Sequence, residues 1–317
     1  MGRLLHAAAV VFLVTTLVFA LIHLAPGDPF SAAMDDPRIT DAVRERWRAQ
    51  YGLDRPLPEQ YVRYLASVAR GNLGFSLSQG RPVSAALADA IPRTLLLMTI
   101  VLAASFATGM AVGIVQARFR GSAADRALGA ASMFFYSMPD FWLAIVVMLV
   151  FAYHIQLFPT TRDVDPLHEL FGPWERFVDR VRHLVLPAGT LTLLTAAAIA
   201  RYQRAAVLDA SSQDFVRTAR AKGVDERRVL LRHVLRNALL PVITLVGLAF
   251  PALLGGAVFV EQVFAWPGMG LLTTQAIAQR DYPLVVAAAM LGGVLVSAGS
   301  LLADLLYAAA DPRLHPS

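Results

Sequence analysis

The chain has 317 residues, 56% hydrophobic and 16% charged, with a net charge of +5. Soluble domains run near ~45–50% apolar and ~25% charged, so both values, with a mean hydropathy of +0.55, exclude disordered, collagen-like and ordinary soluble classes. There is no cysteine, which excludes disulfides and thiolate chemistry, and Lys222 is the one lysine among 28 basic residues.

The apolar residues collect into six runs: Leu4–Leu24, Thr94–Ala117, Ala127–Tyr153, Leu184–Ala200, Ala238–Val260 and Pro283–Ala303. A bilayer core of about 30 Å needs roughly 20 residues of helix, so each run reads as a membrane span. The fourth is short and can extend toward Leu208. The first run is longer than a secretory apolar region, and His23–Pro26 is a poor cleavage site, so it reads as an uncleaved span.

Between the first two runs lies Pro26–Arg93, with 9 arginines against 8 acids. Thr40–Tyr51 and Tyr61–Arg70 read as short helices within it, the first capped by Thr40 and stopped by Gly52. This loop serves either as a solvated cap or as a docking surface. With the N-terminus inside, the inside segments carry 14 basic residues and the outside loops also 14, but 9 of the latter sit in this 68-residue loop. Loops longer than about 60 residues translocate largely regardless of charge, and without it the balance is 14 to 5. Six spans with both termini cytoplasmic follow.

Gly109-Met-Ala-Val-Gly113 has the spacing for close helix packing. Asp140, midway in the third run, follows Pro139. It either faces a cavity and a cation such as a peptide amine, or caps the amides that the proline frees. Pro241 and Pro251 kink the fifth run, beside a pathway or within ordinary packing. Glu261 just beyond it can meet an outside loop or a partner, and Asp304 ends the sixth run.

Arg201–Asn237 is the most informative loop, with 9 basic residues. Ser211 and Asp214 have the spacing of a capping box, so a short helix spans Ser211–Lys222, with Phe215, Ala219 and Lys222 on one face. Arg220 and Lys222 suit its C-terminal dipole. Gly223 ends it with positive φ, and Asp225 caps the next helix. Such a loop either only holds topology or meets a partner.

Enzyme readings fail. Lys222 lies between Ala221 and Gly223, so no P-loop exists, and Gly172 stands where a zincin pattern begun at His168-Glu169 needs its second histidine. No catalytic or metal residue is assigned. A secondary transporter is the alternative class, marked by repeats or several intramembrane charges, of which the chain shows one clear case, Asp140.

The stretch Asp214-Phe-Val-Arg-Thr-Ala-Arg-Ala-Lys-Gly223, followed by Arg232-His-Val-Leu-Arg-Asn-Ala-Leu-Leu-Pro241, closely resembles the coupling loop of ABC importer permeases of the dipeptide, oligopeptide and nickel branch. Leu24-Ala-Pro-Gly-Asp-Pro29, Gly71-Asn-Leu-Gly-Phe-Ser76, Arg81-Pro-Val83, Glu261–Gly270, Arg280–Pro283, Asp304–Tyr307 and Asp311–Arg313 extend the likeness over nearly the whole chain. The family's coupling signature begins Glu-Ala-Ala; here Arg217-Thr218-Ala219 stand in those places and Arg236 stands where the general proline would be. Arg217 reverses the charge that the signature's glutamate would bring to an ATPase contact.

The resemblance implies an all-α integral membrane permease of six spans with the type I ABC importer fold, and a cytoplasmic coupling helix between spans four and five. It divides the chain into a first span and outside loop (1–93), a five-helix core (94–308) containing coupling loop 201–237, and a tail (309–317). Asp214, Phe215, Arg217, Thr218, Ala219, Arg220, Ala221, Lys222 and Gly223 would form the ATPase-coupling site, and Asp140 and Pro251 the translocation pathway. The implied partners are a homologous, non-identical permease, two cytoplasmic ATPases carrying ATP and Mg, an extracytoplasmic binding protein and membrane lipid, with no nucleic acid. No cofactor would be bound by this chain, and its place would be the bacterial inner membrane.

Overall fold

In the computed structural model the described residues are 9, 12–17, 19–20, 55–76, 78–239, 242, 245 and 257–310, the last nine by backbone alone. The chain divides into two compact units, Met1–Arg93 with Gly268–Leu295, and Thr94–Pro267 with Val296–Ser317.

In the first unit, α1 (Leu57–Ala69) lays Tyr61 and Tyr64 against Phe19, with ring centroids 5.2 and 5.8 Å apart. The expected helix at Tyr61–Arg70 begins four residues earlier, at Leu57, with Pro56 at its N-cap and Pro58 in its first turn, where a missing amide proton costs no intrahelical bond. The expected helix at Thr40–Tyr51 lies outside the described residues. A two-stranded hairpin, β1 (Phe75–Ser76) against β2 (Arg81–Pro82), leads directly into α2 (Val83–Arg118). Val83, Leu87 and Ala90 of α2 pack against Met269, Leu272 and Ala276 of α8 (Met269–Ala278) and Leu284 and Ala287 of α9 (Tyr282–Ala310). Asp281 closes this unit: it is 3% exposed, and its Oδ2 accepts from Ser76 Oγ at 2.6 Å, Ser78 N at 2.9 Å and Ser78 Oγ at 2.6 Å. Its Oδ1 accepts from Leu284 N at 3.3 Å, capping α9.

The second unit holds the remaining helices. Ser122 caps α3 (Ala123–Tyr136) by accepting from Asp125 N, while Asp125 Oδ2 accepts from Gly121 N at 3.0 Å. Pro139 breaks the run that follows, and α4 (Asp140–Val147) restarts beyond it and continues through a π turn, Met148–His154. The two halves meet at 105°. Helix α5 (Pro173–Ser211) has 39 residues, roughly 58 Å at about 1.5 Å each. Its start is capped by Glu175 Oε2 accepting from Gly172 N. The preceding loop is clamped to its first turns: His168 Nδ1 lies 2.6 Å and His183 Nδ1 3.1 Å from the two carboxylate oxygens of Asp179. Leu97, Met98 and Val101 of α2, Leu186 and Leu191 of α5, and Val260, Phe264 and Trp266 form the core of this unit.

Several expected boundaries move. The sequence places Val83–Arg93 in the loop; the structure makes it the first turns of α2. The fourth run grows at both ends, taking Pro173–His183 from one loop and Arg201–Ser211 from the other. In each case charged flanks outside the apolar run remain good helix formers, and backbone hydrogen bonding carries the helix on past the hydrocarbon thickness. Asp304 lies inside α9 rather than at its end. Among the described residues three helices are long and apolar enough to cross a membrane, or four if the bent pair counts as one. The first and fifth runs fall largely outside the described residues.

Glu261 is fully buried and accepts from Thr94 Oγ1 at 2.7 Å, so its carboxylate serves the interior and presents nothing to an outside partner.

Candidate functional site

The basic loop folds into a corner. Helix α6 (Asp214–Ala221) is followed by Lys222 and Gly223, then by α7 (Glu226–Arg228), which runs on through a π turn at Val229–Val234. The corner is closed by backbone bonds: Val224 N donates to Ala219 O at 3.2 Å and Gly223 N to Arg220 O at 2.9 Å. That pair of bonds is the Schellman arrangement, which requires a left-handed residue, and Gly223 has φ +74°. A Cβ at Gly223 would meet nothing within 4 Å, so the demand for glycine there comes from the backbone angle and not from space.

The capping expectation at Ser211 does not hold. Ser211 ends α5, donating its hydroxyl to Val207 O at 2.6 Å, and α6 begins three residues later with Gln213 before it and no side-chain cap. The serine is captured by its own helix because a last-turn carbonyl is nearer than any amide of the next element. Asp225 does cap α7, accepting from Arg227 N at 3.0 Å.

The expected apolar face is also rotated. Val216 is fully buried and Ala219 7% exposed, both inside a cluster with Ala117, Val207, Ala210, Val229, Val234 and Ala238. Ala219 is therefore part of the chain's own core and is not available to a partner, while Phe215, at the margin, is 40% exposed. Asp214, Arg217, Thr218, Ala221 and Lys222 make up the open side. At about 100° per residue, positions 216 and 219 turn inward together, which sets 214, 217, 218 and 221 opposite them. Arg217 Nη1 reaches Asp214 Oδ1 at 3.3 Å, and Thr218 Oγ1 donates to Asp214 O at 2.9 Å.

Arg220 is already engaged. Its Nε donates to Glu226 Oε1 at 2.7 Å and its Nη2 to Oε2 at 3.4 Å, spanning the corner from α6 to α7. That guanidinium holds the Glu226 carboxyl below the usual carboxylate range. Arg204 of α5 likewise binds Asp125 of α3 through two 3.0 Å bonds, just before the corner. Sequence reasoning missed both pairs, since their partners lie on different elements and no spacing rule joins them.

Asp140 opens α4 directly after the break, half-buried, where the N-terminal dipole favours a carboxylate. Its carboxylate has no hydrogen-bond partner among the described residues. Pro251 and Pro241 lie outside the described residues. Gly109 and Gly113 sit where α2 touches α5: a Cβ would lie 2.8 Å from Ala196 O and 2.6 Å from Ala200 O, respectively. Among the described residues no group of three or more His, Asp or Glu side chains is placed to hold a metal ion.

The family described as binding-protein-dependent transport system inner membrane component matches residues 109–316, and its N-terminal counterpart matches residues 1–98. The chain belongs to this family. The permease is 40% identical over 314 residues to the oligopeptide transport system permease protein AppB of Bacillus subtilis, covering 99% of this chain and 98% of that one. It is 38% identical to the di/tripeptide permease DppB of Pseudomonas aeruginosa, over 96% and 94% of the two chains. Identity to the dipeptide permease DppB of Escherichia coli K12 is 34%, over 95% and 94%. Among solved structures, the MetNI methionine ABC transporter in an inward-facing conformation matches with a TM-score of 0.54 at 18% identity, covering 71% of this chain and 96% of that one. These likenesses make the protein the non-catalytic membrane subunit of an ABC importer with the permease fold.

Proposed function

We propose that this permease forms half of the translocation pathway of a peptide importer of the bacterial inner membrane, beside a homologous second permease. Two ATPases bind the cytoplasmic face of the permease pair, one of them engaging the α6 corner of this chain, and an extracytoplasmic binding protein delivers the peptide. ATP and Mg reside on the ATPases, and this chain binds no cofactor. Both termini lie in the cytoplasm, as the 14-to-5 excess of basic residues favours.

The observation that carries the reading is the corner itself. A coupling element has to present a charged face outward and pass displacement inward without deforming. Helix α6 does the first with Arg217 and Lys222 and the second through Val216 and Ala219, locked among residues of α2, α5 and the segment after α7. Phe215, part-exposed at the rim, supplies an apolar contact. Asp140, half-buried and without a hydrogen-bond partner among the described residues, suits a passing cation such as a peptide amine. The identities of the named relatives, from 34% to 40%, support peptides as the substrate class.

Reconstitution with the sister permease, ATPases and binding protein tests this. Gly223→Val places a β-branched residue at φ +74°. The expected result is a complex that still assembles and receives peptide from its binding protein but hydrolyses ATP without uptake. Normal coupled uptake from well-inserted Gly223→Val protein overturns the role given to the corner.

A further inference from the structure

Two buried amides at the α2–α5 crossing have polar atoms without partners among the described residues. Gln203 of α5 is fully buried and Gln116 of α2 is 2% exposed. Among the described residues, neither Nε2 nor Oε1 of Gln203, nor Oε1 of Gln116, has a hydrogen-bond partner. An amide removed from water and left unpaired carries the full desolvation of its dipole, and a leucine of similar size would fill the same space without that cost. Ala117 and Val207, on the same two helices, are core residues.

The geometry puts both residues at the same crossing. A Cβ on Gly113 would lie 2.7 Å from Gln203 Cβ, and Gln116 is the next residue on that face of α2, one turn on. Gln116 Nε2 is 3.5 Å from where a Cβ on Gly129 of α3 would sit. At Gly109 and Gly113 the helices approach so closely that a Cβ would lie 2.8 Å from Ala196 O and 2.6 Å from Ala200 O, respectively, so the glycines make a contact without side chains at the crossing. Gln203 stands just beyond this contact, on the side of α5 that runs to Ser211 and the α6 corner.

We infer that Gln116 and Gln203 are the two halves of a conformational latch. Their amides bond to each other across the α2–α5 crossing in one state of the transport cycle, and the structure shows the state in which that bond is open. The complementarity is available, because Gln203 offers a donor and an acceptor and Gln116 an acceptor. A small roll of α5 about the glycine contact moves its side chains by the length of a hydrogen bond while the helix cores stay packed. The latch would set how easily motion at the corner passes along α5. It rests on the transporter reading above.

The test uses the complete complex in vesicles, with a tryptone peptide mixture as probe, and three variants: Gln116→Leu, Gln203→Leu and the double. Each single variant should slow peptide-stimulated ATP hydrolysis and uptake by about five-fold, the effect of losing one ordinary amide hydrogen bond. The thermal midpoint of the resting complex should stay level or rise, since an unpaired dipole has gone. The double variant should be no slower than either single, because both remove the same bond. Unchanged turnover in both singles overturns the latch. So does a double variant slower by about 25-fold, the product of two independent effects. A lowered midpoint with normal turnover also overturns it, since the amides would then be satisfied in the resting state. If Gln203→Leu fails to insert, Gln203→Met keeps the length and is judged by the same outcomes. A wild-type complex in which peptides stimulate neither ATP hydrolysis nor uptake rejects the transporter reading itself, which separates that failure from failure of the latch.

Discussion

The corner around Gly223 and the joint around Asp281 both fix the meeting of two elements, by opposite means. At Gly223 backbone bonds and one left-handed residue set the angle, and the side chains that span it, Arg220 and Glu226, are about half exposed. At Asp281 a single carboxylate, 3% exposed, gathers two hydroxyls and two amides from the hairpin and the start of α9. A joint made of backbone frees its side chains to meet something else. A joint made of a buried carboxylate commits that side chain entirely. The difference assigns a structural task to Asp281 and leaves the outer face of α6 available for contact.

The largest expected effect is at Asp281. Asp281→Ala strands four donors, two of them on Ser76 and Ser78 side chains, and should cost about 3 kcal/mol of stability. Thermal unfolding of the purified permease in detergent measures it, and Asp281→Asn should recover part of the loss. A wild-type midpoint for Asp281→Ala would mean the carboxylate is not what holds the hairpin to α9.

Gly223→Val should cost less, on the order of 2 kcal/mol, because only one residue's backbone is strained. Gly223→Asn should cost a fraction of that, since asparagine tolerates the left-handed region. Equal losses from the two replacements would point to side-chain crowding, which the empty space around Gly223 argues against. Ser76→Ala, removing one bond from the Asp281 group, should cost about 1 kcal/mol by the same unfolding assay.

The smallest effect belongs to the Arg220–Glu226 pair, with side chains 47% and 57% exposed. Solvent screens such a pair strongly. Glu226 has a folded-state pKa lowered by Arg220, so the pair's contribution is present above the unfolded carboxyl range and disappears as pH falls through the folded value. Glu226→Gln should flatten that acid limb slightly in a midpoint-against-pH series and leave the neutral-pH midpoint almost unmoved. Arg220→Glu should weaken ATPase co-purification more at low salt than at high, which a pull-down across a salt series reads directly.

Much of the corner was legible in the sequence. Gly223 after a basic last turn and Asp225 beyond it are local signals, and local backbone rules act on them alone. The break at Pro139 was legible for the same reason: a residue without an amide proton interrupts a helix whatever surrounds it. The close packing of Gly109 and Gly113 was legible as a spacing, and the partner backbone, Ala196 and Ala200 of α5, appeared only on folding. Ser211 misled because the spacing rule for a cap does not say which of two adjoining helices claims the hydroxyl.

What the sequence determined by itself is therefore the membrane class, the apolar segments and the points where helices stop, since each depends on neighbours a few residues away. What the tertiary structure alone decided is which side of α6 faces inward, where α2 and α5 end, and which polar groups are paired. Val216 and Ala219 turn inward because α5 and the segment after α7 offer apolar surface there. Asp281 meets Ser76 and Ser78 across 205 and 203 residues of chain. Burial and pairing are properties of distance in space, and no periodicity of 3.6 residues encodes a contact between elements so far apart in sequence.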